Sequence, residues 1–289
     1  MLENVGCVKG QNKEALSQST ADEFLGWPVM PNLFASDGIE TSMRPRRVSP
    51  EELRSSGSAV KPRDSATLVL IRRDQPSPQI LMGKRSPRHK FMPNKFVFPG
   101  GRVDPCDSRL IVPSKMRTPV IKHLQAETKK SMTPARLRGL ALAAIRETYE
   151  ETGLVLGRPT SSEVTSRHPV WRAFLEQGVE PALGNLDYVA RAITPTKRNR
   201  RFDTRFFMAD ASELYNKPSD ITNGSGELLH LHWISLKEAL KLDLPIITHE
   251  IVKCIEERLQ YPDTRRYTRP VPFYRFEYGR FIISNLRAS

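Results

Sequence analysis

The run Arg146-Glu147-Thr148-Tyr149-Glu150-Glu151-Thr152-Gly153-Leu154 constrains this chain more than any other stretch. The residues before it, Leu137 to Ile145, are rich in Ala and Leu and read as helix. On a helix, residues three and four apart share a face, so Glu147, Glu150 and Glu151 line up together. Like charges at that spacing destabilise a helix unless something compensates them. Three carboxylates on one face offer an oxygen-only ligand set, which suits a hard divalent cation such as Mg²⁺ or Mn²⁺. A solvated acidic helix end would have the same pattern, so the assignment needs a second feature.

That feature lies upstream. Phe96-Val97-Phe98 reads as a short strand running into Pro99-Gly100-Gly101. Paired glycines after a strand permit a tight turn and a close backbone approach. Pro134 suits a first helical turn with Thr133 as N-cap, and Gly153 suits the C-terminal end, so a helix is expected over about 135–152. Ala143 and Ala144 leave room for a loop to come close. Arg146 is four residues before Glu150 and can hold that carboxylate in place.

Around this centre the chain reads as mixed strands and helices. Ala66–Ile71 and Gln79–Arg85 form an expected hairpin. Residues from about 108 to 134 are broken by prolines, with a helical piece over Val120–Lys130. Strands are expected over Asp187–Ile193, Phe202–Met208 and Glu227–Ile234, and a last one over Tyr274–Ile283. Helices are expected near Pro169–Gln177, Leu236–Lys241 and Glu250–Gln260. Residues 1–62 show no sustained period and read as a weakly ordered leader before a domain spanning 63–289.

Gly101, five residues, Asp107, and then Arg-Glu-x-x-Glu-Glu-x-Gly at Arg146–Gly153 resemble the Nudix box. The resemblance implies an α+β fold, an α/β/α sandwich with a mixed sheet between helices. It implies hydrolysis of a diphosphate linkage with Mg²⁺ or Mn²⁺ held by Glu147, Glu150, Glu151 and the Gly100 carbonyl. There are three departures. Asp107 stands in place of Glu, and Thr148 replaces a hydrophobic residue. The gap from Asp107 to Arg146 is 38 residues rather than seven, an insertion of 31. It falls in a loop, where added length costs little, and suggests a substrate lid or a dimer contact.

The segment Phe98–Asp107, with Leu81 and Arg85-Ser86 before it, is similar to the coenzyme A diphosphatase branch of that family. So is Arg201-Phe-Asp-Thr-Arg-Phe-Phe over 201–207. The implied substrate is CoA or acyl-CoA, cleaved to 3′,5′-ADP and (acyl)phosphopantetheine. ADP-ribose, NADH, a dinucleoside polyphosphate or capped RNA are the alternatives within the enzyme class, and a non-catalytic nucleic-acid-binding or regulatory module is the alternative outside it. Catalytic candidates are Glu150, Glu147, Arg146 and Glu227. Candidates for gripping a phosphorylated substrate are Arg85, Gly101, Arg102, Arg201 and Arg205.

The net charge of +13 is carried by the region after residue 60, because residues 1–60 hold six Lys/Arg and eight Asp/Glu. That charge suits a small phosphorylated substrate and leaves nucleic acid open. Three scattered cysteines make neither a disulfide framework nor a zinc pattern, and a reducing, cytoplasmic setting is the expectation. No apolar run approaches the roughly 18 residues of a membrane span. The oligomeric state stays open, a homodimer included.

Overall fold

The computed structural model describes residues 60–88, 93–128, 132–196, 198, 200–222, 224–277 and 280–287. The expected leader lies almost wholly outside them.

The strands are β1 (Arg63–Arg72), β2 (Gln79–Arg85), β3 (Phe96–Val97), β4 (Gly100–Arg102), β5 (Gly157–Pro159), β6 (Val179–Pro181), β7 (Asp187–Ile193), β8 (Phe202–Asp210), β9 (Leu228–Ser235), β10 (Val271–Glu277) and β11 (Arg280–Leu286). The α-helices are α1 (Pro105–Arg109), α2 (Thr118–Gln125), α3 (Pro134–Thr152), α4 (Pro169–Leu175), α5 (Leu236–Ala239), α6 (Ile246–Arg258) and α7 (Asp263–Arg266). The main sheet runs β11-β10-β7-β8-β1-β2-β3, with β4 also paired to β1 and β9 to β2. It is mixed: β1–β8 and β10–β7 are parallel, while β1–β2, β1–β4 and β7–β8 are antiparallel.

β1 is central, and its composition says why. Leu68, Val69, Leu70 and Ile71 are all essentially buried, the mark of a strand covered on both faces. Ala66, Leu68 and Leu70 join the cluster under α3, together with Leu81, Phe207 and Ala209. On α3 the whole run from Leu140 to Ile145 is buried. α6 packs against β7 through another set of buried side chains, Ile251, Val252 and Ile255. The result is the α+β sandwich expected of the Nudix fold.

The ends of α3 follow from local chemistry. The Thr133 hydroxyl accepts from the Arg136 N–H at 3.3 Å, with Pro134 in the first turn. Gly153 closes the helix at φ 72°, its N–H donating to the Tyr149 carbonyl at 2.8 Å. Thr148, unusual for its place, is buried, and its hydroxyl donates back to the Ala144 carbonyl at 2.8 Å. That bond satisfies the polar group where a hydrophobic side chain would need none.

Three expectations are corrected. The last strand is a hairpin of two, β10 and β11, because Tyr274 faces Ile283 across an antiparallel pair rather than lying on one continuous strand. The insertion is not an exposed lid. Leu110, Val112, Met116, Val120 and Leu124 are buried in the same cluster as Leu137 and Leu140 of α3, so these apolar side chains extend the core. His123 sits in α2 and is buried rather than solvated, with its basicity lowered by that burial and by Arg258.

Candidate active site

The site is built where α3 crosses the Gly100–Gly101 turn. β4 pairs with β1 in the register Thr67↔Gly100 and Ala66↔Gly101, which fixes the turn beneath the last turns of α3. The Gly100 N–H donates to Glu151 Oε2 at 2.9 Å. A Cβ at Gly101 would stand 2.5 Å from the Glu147 carboxylate, so any side chain there would push that carboxylate from its place. The sequence therefore brings Gly100, Gly101, Glu147 and Glu151 together, and each glycine has a separate reason to be there.

Arg146 is the hub. Its Nε donates to Asp107 Oδ1 at 2.8 Å and its Nη2 to Asp107 Oδ2 at 3.1 Å. The same guanidinium reaches the Arg102 carbonyl at 3.0 Å, Glu147 Oε1 at 3.0 Å and Glu150 Oε2 at 3.2 Å. The expected Arg146–Glu150 pair is present, but the pair with Asp107 is the buried one: Asp107 is 0% exposed. Asp107 also accepts the Trp171 indole N–H at 2.9 Å and its own helix-start N–H, from Asp104, at 2.8 Å. These four N–H donors, with the Cys106 thiol at 3.7 Å as a fifth, satisfy a carboxylate removed from water. Trp171 has no motif around it, so sequence reasoning missed it; a buried aromatic N–H needing an acceptor was the available signal.

The acids differ in environment. Glu150 is about a third exposed, whereas Glu151 is buried. Burial pushes the Glu151 carboxyl well up, and the charge of Glu147 adds to this. Burial likewise pushes Glu147 up to about 7; Arg146 opposes the shift, and Glu150 adds to it. Such crowding of carboxylates fits a site made to hold a cation.

A pH dependence follows for chelator-treated protein. Glu147 ionises near 7 when folded and near 4.5 as its ordinary value. Between these values the folded state binds more protons, so stability is present below about 4.5 and lost as pH rises through 7. Raising the pH from 6 to 8 is expected to cost about 1 kcal/mol in urea unfolding. Saturating Mg²⁺ should remove that loss, and an unchanged slope with Mg²⁺ would count against a cation at these acids.

Arg85, at the end of β2, is largely withdrawn from water. Burial lowers the basicity of its guanidinium, and the charges of Glu151, Glu227 and Glu147 oppose this. Arg85 and Glu227 thus belong to the acidic site. Their backbones meet too, the Ser86 N–H donating to the Glu227 carbonyl at 3.1 Å. The loop before Glu227 seals the end of α3: Thr222 and Ser225 donate to the Thr152 and Glu150 carbonyls at 2.8 and 3.0 Å. Gly224 comes so close to the Glu150 carbonyl that a side chain could not be added.

Arg102 is exposed beside the Gly-Gly turn. Arg201 and Arg205 are placed differently from the expectation. Arg201 donates to the Thr194 and Val60 carbonyls at 2.9 and 2.8 Å. Arg205 is 1% exposed and paired with Asp64 at 2.9 Å and Asp203 at 3.1 Å. Asp64 in turn holds Arg136 in the first turn of α3, eleven residues before Glu147. The pairs of Arg205 are taken up in holding the sheet, because a buried Arg must have carboxylate or carbonyl partners, while the half-buried Arg201 is tied to two carbonyls.

Known proteins agree with this geometry. No family model matches the chain. The acyl-coenzyme A diphosphatase NUDT19 of Xenopus laevis is 28% identical over 210 residues, 56% of this chain and 54% of that protein. A Caenorhabditis elegans protein provisionally assigned as nudix hydrolase 7 is 26% identical over 189 residues, 62% of this chain and 53% of that protein. The match therefore spans about half the length of these curated relatives. Among solved structures, a NUDIX hydrolase from Alicyclobacillus acidocaldarius superposes with a TM-score of 0.50 at 23% identity, covering 68% of this chain and 91% of that one, which shows the fold. No helix among the described residues is long and apolar enough to cross a membrane. The fold, the residues gathered at Glu147–Glu151 and these relatives make the chain similar to Nudix hydrolases, an acyl-coenzyme A diphosphatase among them.

Proposed function

We propose that the chain hydrolyses the diphosphate linkage of a nucleoside diphosphate derivative, with CoA or acyl-CoA as substrate and Mg²⁺ or Mn²⁺ as cofactor. The observation that carries this is the meeting of Glu147 and Glu151 with the Gly100–Gly101 turn, with Glu150 joined to Glu147 through Arg146 and with Arg85 in the field of these acids.

The donor set fits a hard cation. Glu147, Glu150 and Glu151 supply carboxylate oxygens, and the Gly100 backbone already lies against Glu151. When bound, such an ion neutralises phosphate charge and acidifies a bound water. The chain's own groups do the rest. Arg146 holds Glu147 and Glu150 at fixed positions from behind. In this reading Glu150, the more exposed acid, takes a proton from the attacking water and Glu227 supports it. Arg85 and Arg102 pair with phosphate oxygens outside the acids. The Gly100–Gly101 backbone, lacking side chains, lets the diphosphate approach the acids.

The CoA branch is supported by the Arg85-Ser86 and Phe98–Asp107 segments and by the relative that acts on acyl-CoA. The test is a panel of CoA, acetyl-CoA, ADP-ribose, NADH, diadenosine polyphosphates and capped RNA, with Mg²⁺ or Mn²⁺, comparing wild type and Glu150→Gln. The expected result is release of 3′,5′-ADP from CoA or acetyl-CoA, cut at least about 100-fold in the variant. Turnover of another substrate alone moves the assignment to that substrate. If nothing in the panel turns over, and polynucleotide binds with a steep salt dependence, the chain is a binding module instead.

A further inference from the structure

Apart from the acids of α3, a second cluster offers ligands of another kind. Asp104, Cys106 and His168 each present one ligand atom, and the three atoms lie within 4.8 Å of one another. Asp104 is the N-cap of α1 and Cys106 lies in its first turn, while His168 is the N-cap of α4, so two segments far apart in the chain meet here. All three residues are half-buried, which lets an ion enter and lets the side chains adjust. His168 Nδ1 is out of contact with solvent and has no hydrogen-bond partner among the described residues. A withdrawn imidazole nitrogen beside a thiol and a carboxylate calls for a ligand.

One sulfur, one nitrogen and one oxygen do not suit Mg²⁺, which takes oxygen. They suit Zn²⁺. We propose that Asp104, Cys106 and His168 form a zinc site, separate from the oxygen-only acids, that clamps the start of α1 to the start of α4. Around tetrahedral zinc the ligand atoms stand roughly 3.3–3.8 Å apart. Closing the cluster to that size requires the Asp104, Cys106 and His168 side chains to rotate, with the Cys106 thiol giving up its 3.7 Å hydrogen bond to Asp107. Cys106 binds as thiolate and its proton leaves to solvent; water fills the fourth position.

The place of the clamp gives it a role. Cys106 immediately precedes Asp107, and His168 comes three residues before Trp171. Asp107 and Trp171 share the 2.9 Å hydrogen bond that helps to fix Arg146. Zinc would therefore hold in register the two segments that position the hub of the active site, without touching substrate. Asp104, Cys106 and His168 would be positioning residues.

The test uses the full chain, treated with a chelator and then titrated with Co²⁺ as a coloured substitute for Zn²⁺. The expected result is a thiolate-to-cobalt charge-transfer band saturating at one equivalent and bleached by Zn²⁺. Cys106→Ser should lose the band. His168→Ala, at a half-buried position, should weaken Co²⁺ binding at least tenfold while the far-ultraviolet circular dichroism stays native. A Glu147→Gln/Glu150→Gln double variant should keep the band. No band in the wild type, a band that survives Cys106→Ser, or binding untouched by His168→Ala would each overturn the proposal. None of these readouts involves turnover, so the outcome is independent of the substrate reading.

Discussion

Replacing Arg146 by Met is expected to cost about 3–5 kcal/mol of folding stability, the usual loss when one partner of a buried ion pair is removed. The reason is Asp107. It is fully buried, and Arg146 supplies two of its five hydrogen bonds. Met fills much of the Arg volume and leaves the carboxylate in place without its counter-charge. For a domain of this size that amounts to a fall in Tm of roughly 10 °C. Removing the stranded charge should recover part of the loss. Asp107→Asn in the Arg146→Met background removes the charge and keeps one oxygen, enough for the Trp171 indole that Oδ1 accepts, while the amide nitrogen replaces the Oδ2 that accepts the Asp104 N–H. The double variant should therefore be more stable than Arg146→Met alone by at least about 1 kcal/mol. Urea unfolding of the two single variants and the double variant tests this. Losses that simply add would show that the pair is not the staple described here.

Glu151→Gln is expected to separate activity from stability. Turnover should fall at least about 100-fold, because the change removes a carboxylate from the proposed cation site. Stability at pH 8 should not fall, and should rise. The Gln carbonyl can still accept the Gly100 N–H that Glu151 accepts at 2.9 Å. Meanwhile the burial of Glu151, and the charge of Glu147 beside it, make the ionised acid costly to keep folded without a cation. An enzyme that tolerates this strain for function loses both together when the acid is neutralised. The measurement is turnover on the substrate found in the panel, beside urea unfolding in chelator. A variant that is less stable and equally active would mean that Glu151 is a structural residue.

Much of the site was legible in the residues. The three glutamates at i, i+3 and i+4, the N-cap at Thr133 and the glycine at 153 are local features, and helix geometry alone puts them where they are found. The pairing of Arg146 with Glu150 is local in the same way. Arg201 and Arg205 were not legible. Their type suits phosphate, but Arg201 is tied to the Thr194 and Val60 carbonyls, and Arg205 is buried against Asp64 and Asp203, with Asp64 brought there by the parallel pairing of β1 with β8. The insertion was also misread from composition. A Pro-broken stretch looks like loop, and only the contacts of Val112, Val120 and Leu124 with α3 show that it is core.

The sequence by itself determined the helix, its acidic face and the glycine turn that had to meet it, because each depends on residues within a few positions of one another. The tertiary structure alone decided that Asp107, 38 residues before Arg146, returns to that arginine and is closed in by Trp171. A contact of that separation is set by how the insertion packs its apolar side chains beneath α3, and no local period records it.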